Sequence, residues 1–89
     1  MSVKFPDQKS LEGALLRALA ALGGQGRNDS IDDFVIRDLD LSESQRMVVR
    51  GDGRSEIQYR LAWVRTKAKS KGLIERIGPA KWRLCDSQK

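Results

Sequence analysis

The 89 residues contain no histidine and one cysteine, Cys85. Neither an imidazole acid–base pair nor a zinc site of ordinary ligand spacing can be built from that stock. What remains are acids and cations. Asp29, Asp32, Asp33, Asp38 and Asp40 gather in one stretch, but acids beside a helix start are better read as a solvated complement to the helix dipole than as a metal cluster. Gly23-Gly24-Gln25-Gly26 has no Lys-Ser/Thr after it and no strand before it, so it is not a phosphate loop. Residues 59–76 are different, holding six Lys/Arg against a single acid, Glu75. Like charges crowded on one segment repel each other unless a polyanion lies opposite. The chemistry on offer is recognition of an anion, with no catalytic group, no metal and no cofactor expected.

The net charge of +5 conceals a stronger polarity. From Met1 to Gln45 there are five Lys/Arg against eight Asp/Glu, and from Arg46 to Lys89 twelve against four, which gives halves of −3 and +8. Such asymmetry points to nucleic acid or another anionic surface. Hydrophobic residues at 39% and charged residues at 33% permit a modest core in one soluble domain spanning residues 1–89. A lone cysteine excludes an internal disulfide, and no apolar run is long enough for a signal peptide or membrane span. A cytoplasmic location is expected.

The elements that would position the cations are legible from spacing. Leu11, Leu15, Leu19 and Leu22, with Ala14 and Ala18 between them, predict a helix over 7–22 that stops at the glycine run. Three serines suggest capping boxes, each with an acceptor or amide three residues on: Ser30 with Asp33, Ser42 with Gln45, Ser55 with Gln58. They predict helices over 30–39, 42–49 and 55–71, the last ended by Gly72. Two strand-like runs over 73–85 flank Gly78-Pro79-Ala80 and predict a hairpin. Asp86 to Lys89 is read as a frayed tail. The expected fold is mainly α with a small β-hairpin, a winged helix-turn-helix.

At about 100° per residue, Ile57, Leu61, Val64 and Ala68 form the core stripe of the longest helix. Opposite them stand Tyr59, Ala62, Thr66 and Ser70, with Gln58, Arg65 and Lys69 on one shoulder and Trp63 on the other. Gln, Thr, Arg and small apolar side chains can address base edges, whereas Lys suits phosphate. Arg54 precedes this helix, and Arg76, Lys81 and Arg83 would add backbone contacts from the hairpin. Arg60, Lys67 and Lys71 lie nearer the core edge and are expected to snorkel. Trp63 and Trp82 are both expected in the core because of the area each buries.

Residues 41–84 carry a further signal. The Leu-Ser-Glu start at Leu41, the glycine turn at Gly51 to Gly53, Trp63, Arg65, Gly72-Leu73-Ile74 and Trp82-Arg83-Leu84 together resemble the N-terminal domain of Mrr-type restriction endonucleases. The opening helix followed by glycines is similar too, so nearly the whole chain is covered. The resemblance implies a winged-helix module that binds double-stranded DNA in a bacterial-type restriction-modification setting, fused in that family to a nuclease that cuts DNA with modified bases. Two departures stand out: Ala68 occupies a position usually held by a larger aliphatic, and the chain ends just after the hairpin, so binding carries over and cleavage does not.

Two readings compete with duplex binding. A winged helix can serve as a protein-docking module, as a homodimer or with a separate partner protein, using the acidic surface of residues 29–40. RNA or single-strand binding would require more exposed aromatics than Tyr59 supplies. A duplex reader needs Gln58, Tyr59, Arg65, Thr66 and Lys69 on an open face.

Overall fold

Leu11, Ala14, Leu15, Ala18 and Leu19 recur at three- and four-residue intervals, and in the computed structural model, which describes residues 5–51 and 53–85, they are the buried side of α1 (Gln8–Ala21). Its first turn is capped by Asp7, whose carboxylate accepts the Ser10 N–H at 2.8 Å. That bond favours the ionised form and holds the Asp7 carboxyl below its ordinary pKa. The chain continues through β1 (Gln25–Arg27), α2 (Asn28–Asp38), α3 (Glu43–Arg46), α4 (Glu56–Ser70), β2 (Ile74–Gly78) and β3 (Lys81–Leu84). Asp52, inside the expected turn, and Asp86 to Lys89, read as a tail, lie outside the described residues.

Of the three capping boxes, Ser42 forms one completely. Its hydroxyl accepts the Gln45 N–H at 3.1 Å and its own N–H donates to Gln45 Oε1 at 2.7 Å. Ser55 accepts from the Gln58 N–H at 3.4 Å. The box at Ser30 does not form, because α2 begins earlier, at Asn28, with Arg27 as its N-cap. Residues 25–27 are already held by pairing in the sheet, so the chain turns into a helix before Ser30 is reached. The third helix is also shorter than the expected 42–49. None of its residues is buried, so nothing stabilises further turns, and Val49 instead bridges antiparallel to Ser55.

All three longer helices stop in the same way. Leu73 N–H reaches Ala68 O and Gly72 N–H reaches Lys69 O, the paired bonds of a Schellman motif; Gly24 with Leu19 and Gly23 with Ala20 repeat it after α1, and Leu41 with Ile36 and Asp40 with Arg37 after α2. The residue at the turning point has a positive φ each time: 88° at Gly23, 51° at Asp40 and 78° at Gly72.

The hairpin expected over 73–85 forms from β2 and β3, with an irregular register between Arg76 and Gly78. A third strand joins it. β1 pairs antiparallel with the free edge of β3, Gly26 opposite Trp82, so the sheet order is β1-β3-β2. Gln25-Gly26-Arg27 has neither alternation nor β-branching, and becomes a strand because β3 offers an edge beside it. α1 runs through the middle, packed on α2, α4 and β3, and its leucines share one core with Ile31 and Val35 of α2, Ile57, Leu61 and Val64 of α4, and Ile74 of β2, which itself packs on α4. This mainly helical domain with a three-stranded antiparallel sheet is a winged helix. Among the described residues no helix is long and apolar enough to cross a membrane.

Candidate nucleic-acid interface

α4 is anchored by Ile57, Leu61, Val64 and Ala68, all at most 2% exposed. Anchoring that stripe turns Gln58, Ala62, Thr66, Lys69 and Ser70 to solvent on the other side. The Thr66 hydroxyl donates to the Ala62 carbonyl at 3.1 Å, one turn back. Ala62, Thr66 and Ser70 thus put small side chains along the outward face, on a helix of the kind a major groove admits.

Arg65 is a correction. Expected on the open face, it is 6% exposed, and its Nη1 donates to Asp32 Oδ1 at 2.7 Å. The pair bridges α4 and α2 inside the domain. Burial pushes the Asp32 carboxyl up to about 6, even though the Arg65 charge and hydrogen bond pull it down. The row Ile57, Leu61, Arg65, spaced four and four, contained the signal: it continues one flank of the core stripe.

The other cations of α4 divide into two groups. Arg60 pairs with Glu56 at 2.7 Å and Lys71 with Glu12 at 2.8 Å, so both are held against the protein. Lys67 and Lys69 form no ion pair among the described residues. They are the helix cations left to face an anion.

At the start of α4, the Arg50 guanidinium sits over the Tyr59 ring, 3.6 Å from its centroid, and its Nη1 donates to Glu56 Oε1 at 3.0 Å. The exposed Arg54 stands 5.8 Å from the same ring. Tyr59 is thus half-buried under cations instead of fully open. Arg50 went unnoticed in the sequence because its position depends on the tight turn that follows it, in which Gly53 N–H reaches Arg50 O at 2.9 Å and Arg50 N–H reaches Arg54 O at 2.7 Å.

The two tryptophans part ways. Trp82 packs against the core, its Nε1 donating to Asn28 Oδ1 at 2.8 Å. Trp63, also expected inside, is 53% exposed. Its helical angle puts it on the shoulder of the polar face, and that angle outweighs the pull of its apolar area toward the core. It stands between two hollows. One, of about 200 Å³, is lined by Arg54, Tyr59, Ala62, Trp63 and Thr66. The other, of about 250 Å³, opens toward Gln8 and Leu11 of α1. A larger depression of about 780 Å³ beside Gly24, Glu75 and Cys85 shares no lining residue with either.

On the hairpin, Arg76 is exposed and its Nε donates to Gly78 O at 3.2 Å. Lys81 is half-buried. Arg83 is exposed and pairs with Glu75 across the two strands. The hairpin tip is tied down: Asn28 N–H donates to Ala80 O at 2.8 Å, so tip and α2 start hold each other. Of the acids that a docking surface over 29–40 would use, Asp32 is buried and Asp38 pairs with Arg17 at 2.6 Å, which leaves Asp29, Asp33 and Asp40. Among the described residues no group of acids and cysteines is placed to hold a metal ion.

Residues 9–88 match the family described as the Mrr N-terminal domain. Comparison with curated proteins and with solved structures gave no match.

Proposed function

The chain belongs to the Mrr N-terminal domain family, a module of Mrr-type restriction proteins, and from that premise we propose that it binds double-stranded DNA without cleaving it. α4 enters the major groove with Gln58, Ala62, Thr66 and Ser70 toward base edges and Lys69 toward a phosphate. Arg54 and Tyr59 meet the duplex at the start of the helix, and Arg76, Lys81 and Arg83 follow the backbone from the hairpin. Arg65 takes no part, because its charge is committed to Asp32.

The observation that carries this reading is the outward face of α4, where small and hydrogen-bonding side chains lie beside Lys67 and Lys69, which form no ion pair among the described residues. The docking alternative is weakened by the engagement of Asp32 and Asp38 within the domain. Fluorescence anisotropy of a labelled duplex and of one of its single strands, over a range of salt, tests the proposal. Binding should favour the duplex and fall steeply with salt. Equal affinity for both forms, or no binding at low salt, would overturn it.

A further inference from the structure

Trp63 is the one large apolar side chain on the outward side of α4, 53% exposed beside Ala62 and Thr66. Burying an indole is strongly favourable, so leaving half of one in water makes sense where something else covers it. Its Nε1 makes no hydrogen bond among the described residues, unlike that of Trp82. One exposed ring thus offers an apolar surface and a free donor.

The hollow beside it narrows what it fits. Of the groups around that space of about 200 Å³, the Thr66 hydroxyl is turned to the Ala62 carbonyl, and the Tyr59 ring is covered by Arg50. What remains toward the hollow is largely hydrocarbon and ring, with Arg54 in its lining. Among major-groove base edges, guanine shows two acceptors, adenine an acceptor and a donor, and cytosine a donor. Thymine alone sets a methyl group beside an acceptor, O4. We infer that Trp63 and the adjoining hollow read thymine, the methyl entering between Trp63 and Ala62 and the indole N–H serving O4. A cytosine carrying the same methyl would set its amino donor against the indole donor, and so be disfavoured.

The inference rests on the duplex reading above, and its test separates the two. The probes are a duplex of A·T pairs closed by G·C ends, the same duplex with deoxyuridine for every thymine, and one with 5-methylcytosine paired to guanine. Removing the methyl should weaken binding about fourfold per thymine read and leave the salt slope unaltered, since the phosphates are the same. Trp63→Ala should bind the thymine and uracil duplexes equally. Trp63→Phe, which keeps the ring and loses the N–H, should still prefer thymine over uracil but no longer disfavour 5-methylcytosine. Salt-dependent binding with equal wild-type affinity for thymine and uracil would overturn the inference and leave the duplex reading standing. So would a Trp63→Ala protein that discriminates as well as wild type. Absence of salt-dependent binding to any duplex would overturn both. Should Trp63→Ala fail to fold by circular dichroism, Trp63→Phe and the wild-type comparison decide.

Discussion

Arg65 and Asp32 show how much a single pair can redirect. A cation taken into the interior requires a partner, and removing either member leaves the other buried and uncompensated, at a cost of about 3–5 kcal/mol. Arg65→Ala should therefore unfold more easily in urea, while Arg65→Met combined with Asp32→Leu should be near neutral or stabilising. If Arg65 takes no part in recognition, the double variant should bind duplex as the wild type does. The pair also predicts a pH dependence. With Asp32 raised from 3.8 to about 6 by burial, the folded state holds a proton between about pH 4 and 6 that the unfolded chain has released. Stability should fall as pH rises through that window and level off above it, and urea midpoints across it would measure the slope. On the outward face, Lys69→Ala should weaken binding to all duplexes alike and reduce the salt slope by about one, whereas Gln58→Ala or Thr66→Ala should shift sequence preference with the slope unchanged. A uniform loss in all three would argue against α4 as the reading helix. Lys69, Gln58 and Thr66 were legible from helical angle alone. Arg65 and Trp63 were not, because angle places a side chain on a shoulder and only the neighbouring helix decides which shoulder is covered.

At the scale of elements, the stops were clearer than the starts. A glycine in the left-handed region ends α1 and α4, and Gly72 was expected to do so because its lack of a Cβ removes the steric objection to positive φ. Asp40 performs the same turn at φ 51° with a side chain in place. Gly72→Ala should therefore destabilise by about 1 kcal/mol, and Asp40→Gly should stabilise by a fraction of that, as thermal midpoints moving in opposite directions. The start of α2 was misread for a physical reason. Ser30 and Asp33 satisfy the local pattern of a cap, but β1 pairing with β3 and the Asn28 bond to Ala80 set the chain direction earlier. Capping is a local preference of about 1 kcal/mol, and several long-range bonds outweigh it.

Over the whole molecule, the acidic first half and the basic second half meet at two ion pairs. Glu12 holds Lys71 and Asp32 holds Arg65, so acids of the first half neutralise the inner edges of α4. On the side of α4 and the hairpin, what remains is positive: Lys67, Lys69 and Arg76 exposed and Lys81 half-buried. If about three or four of these cations meet phosphates, log K should fall against log salt with a slope of about −2.7 to −3.6. A slope near zero would mean that the basic half serves no polyanion. The exposed Trp63 adds an apolar reader to that charged surface, which the composition of the chain could not have indicated.

The sequence by itself determined the periodic features: three long helices, the glycine stops, the hairpin, the charge polarity and the resemblance to the Mrr N-terminal domain, because each is written in residues close together in the chain. The tertiary structure alone decided the third strand, the early start of α2, the burial of Arg65 and the exposure of Trp63. Each of those depends on which residues distant in sequence come to lie beside it, and on whether the contact they offer outweighs what the side chain would gain in water.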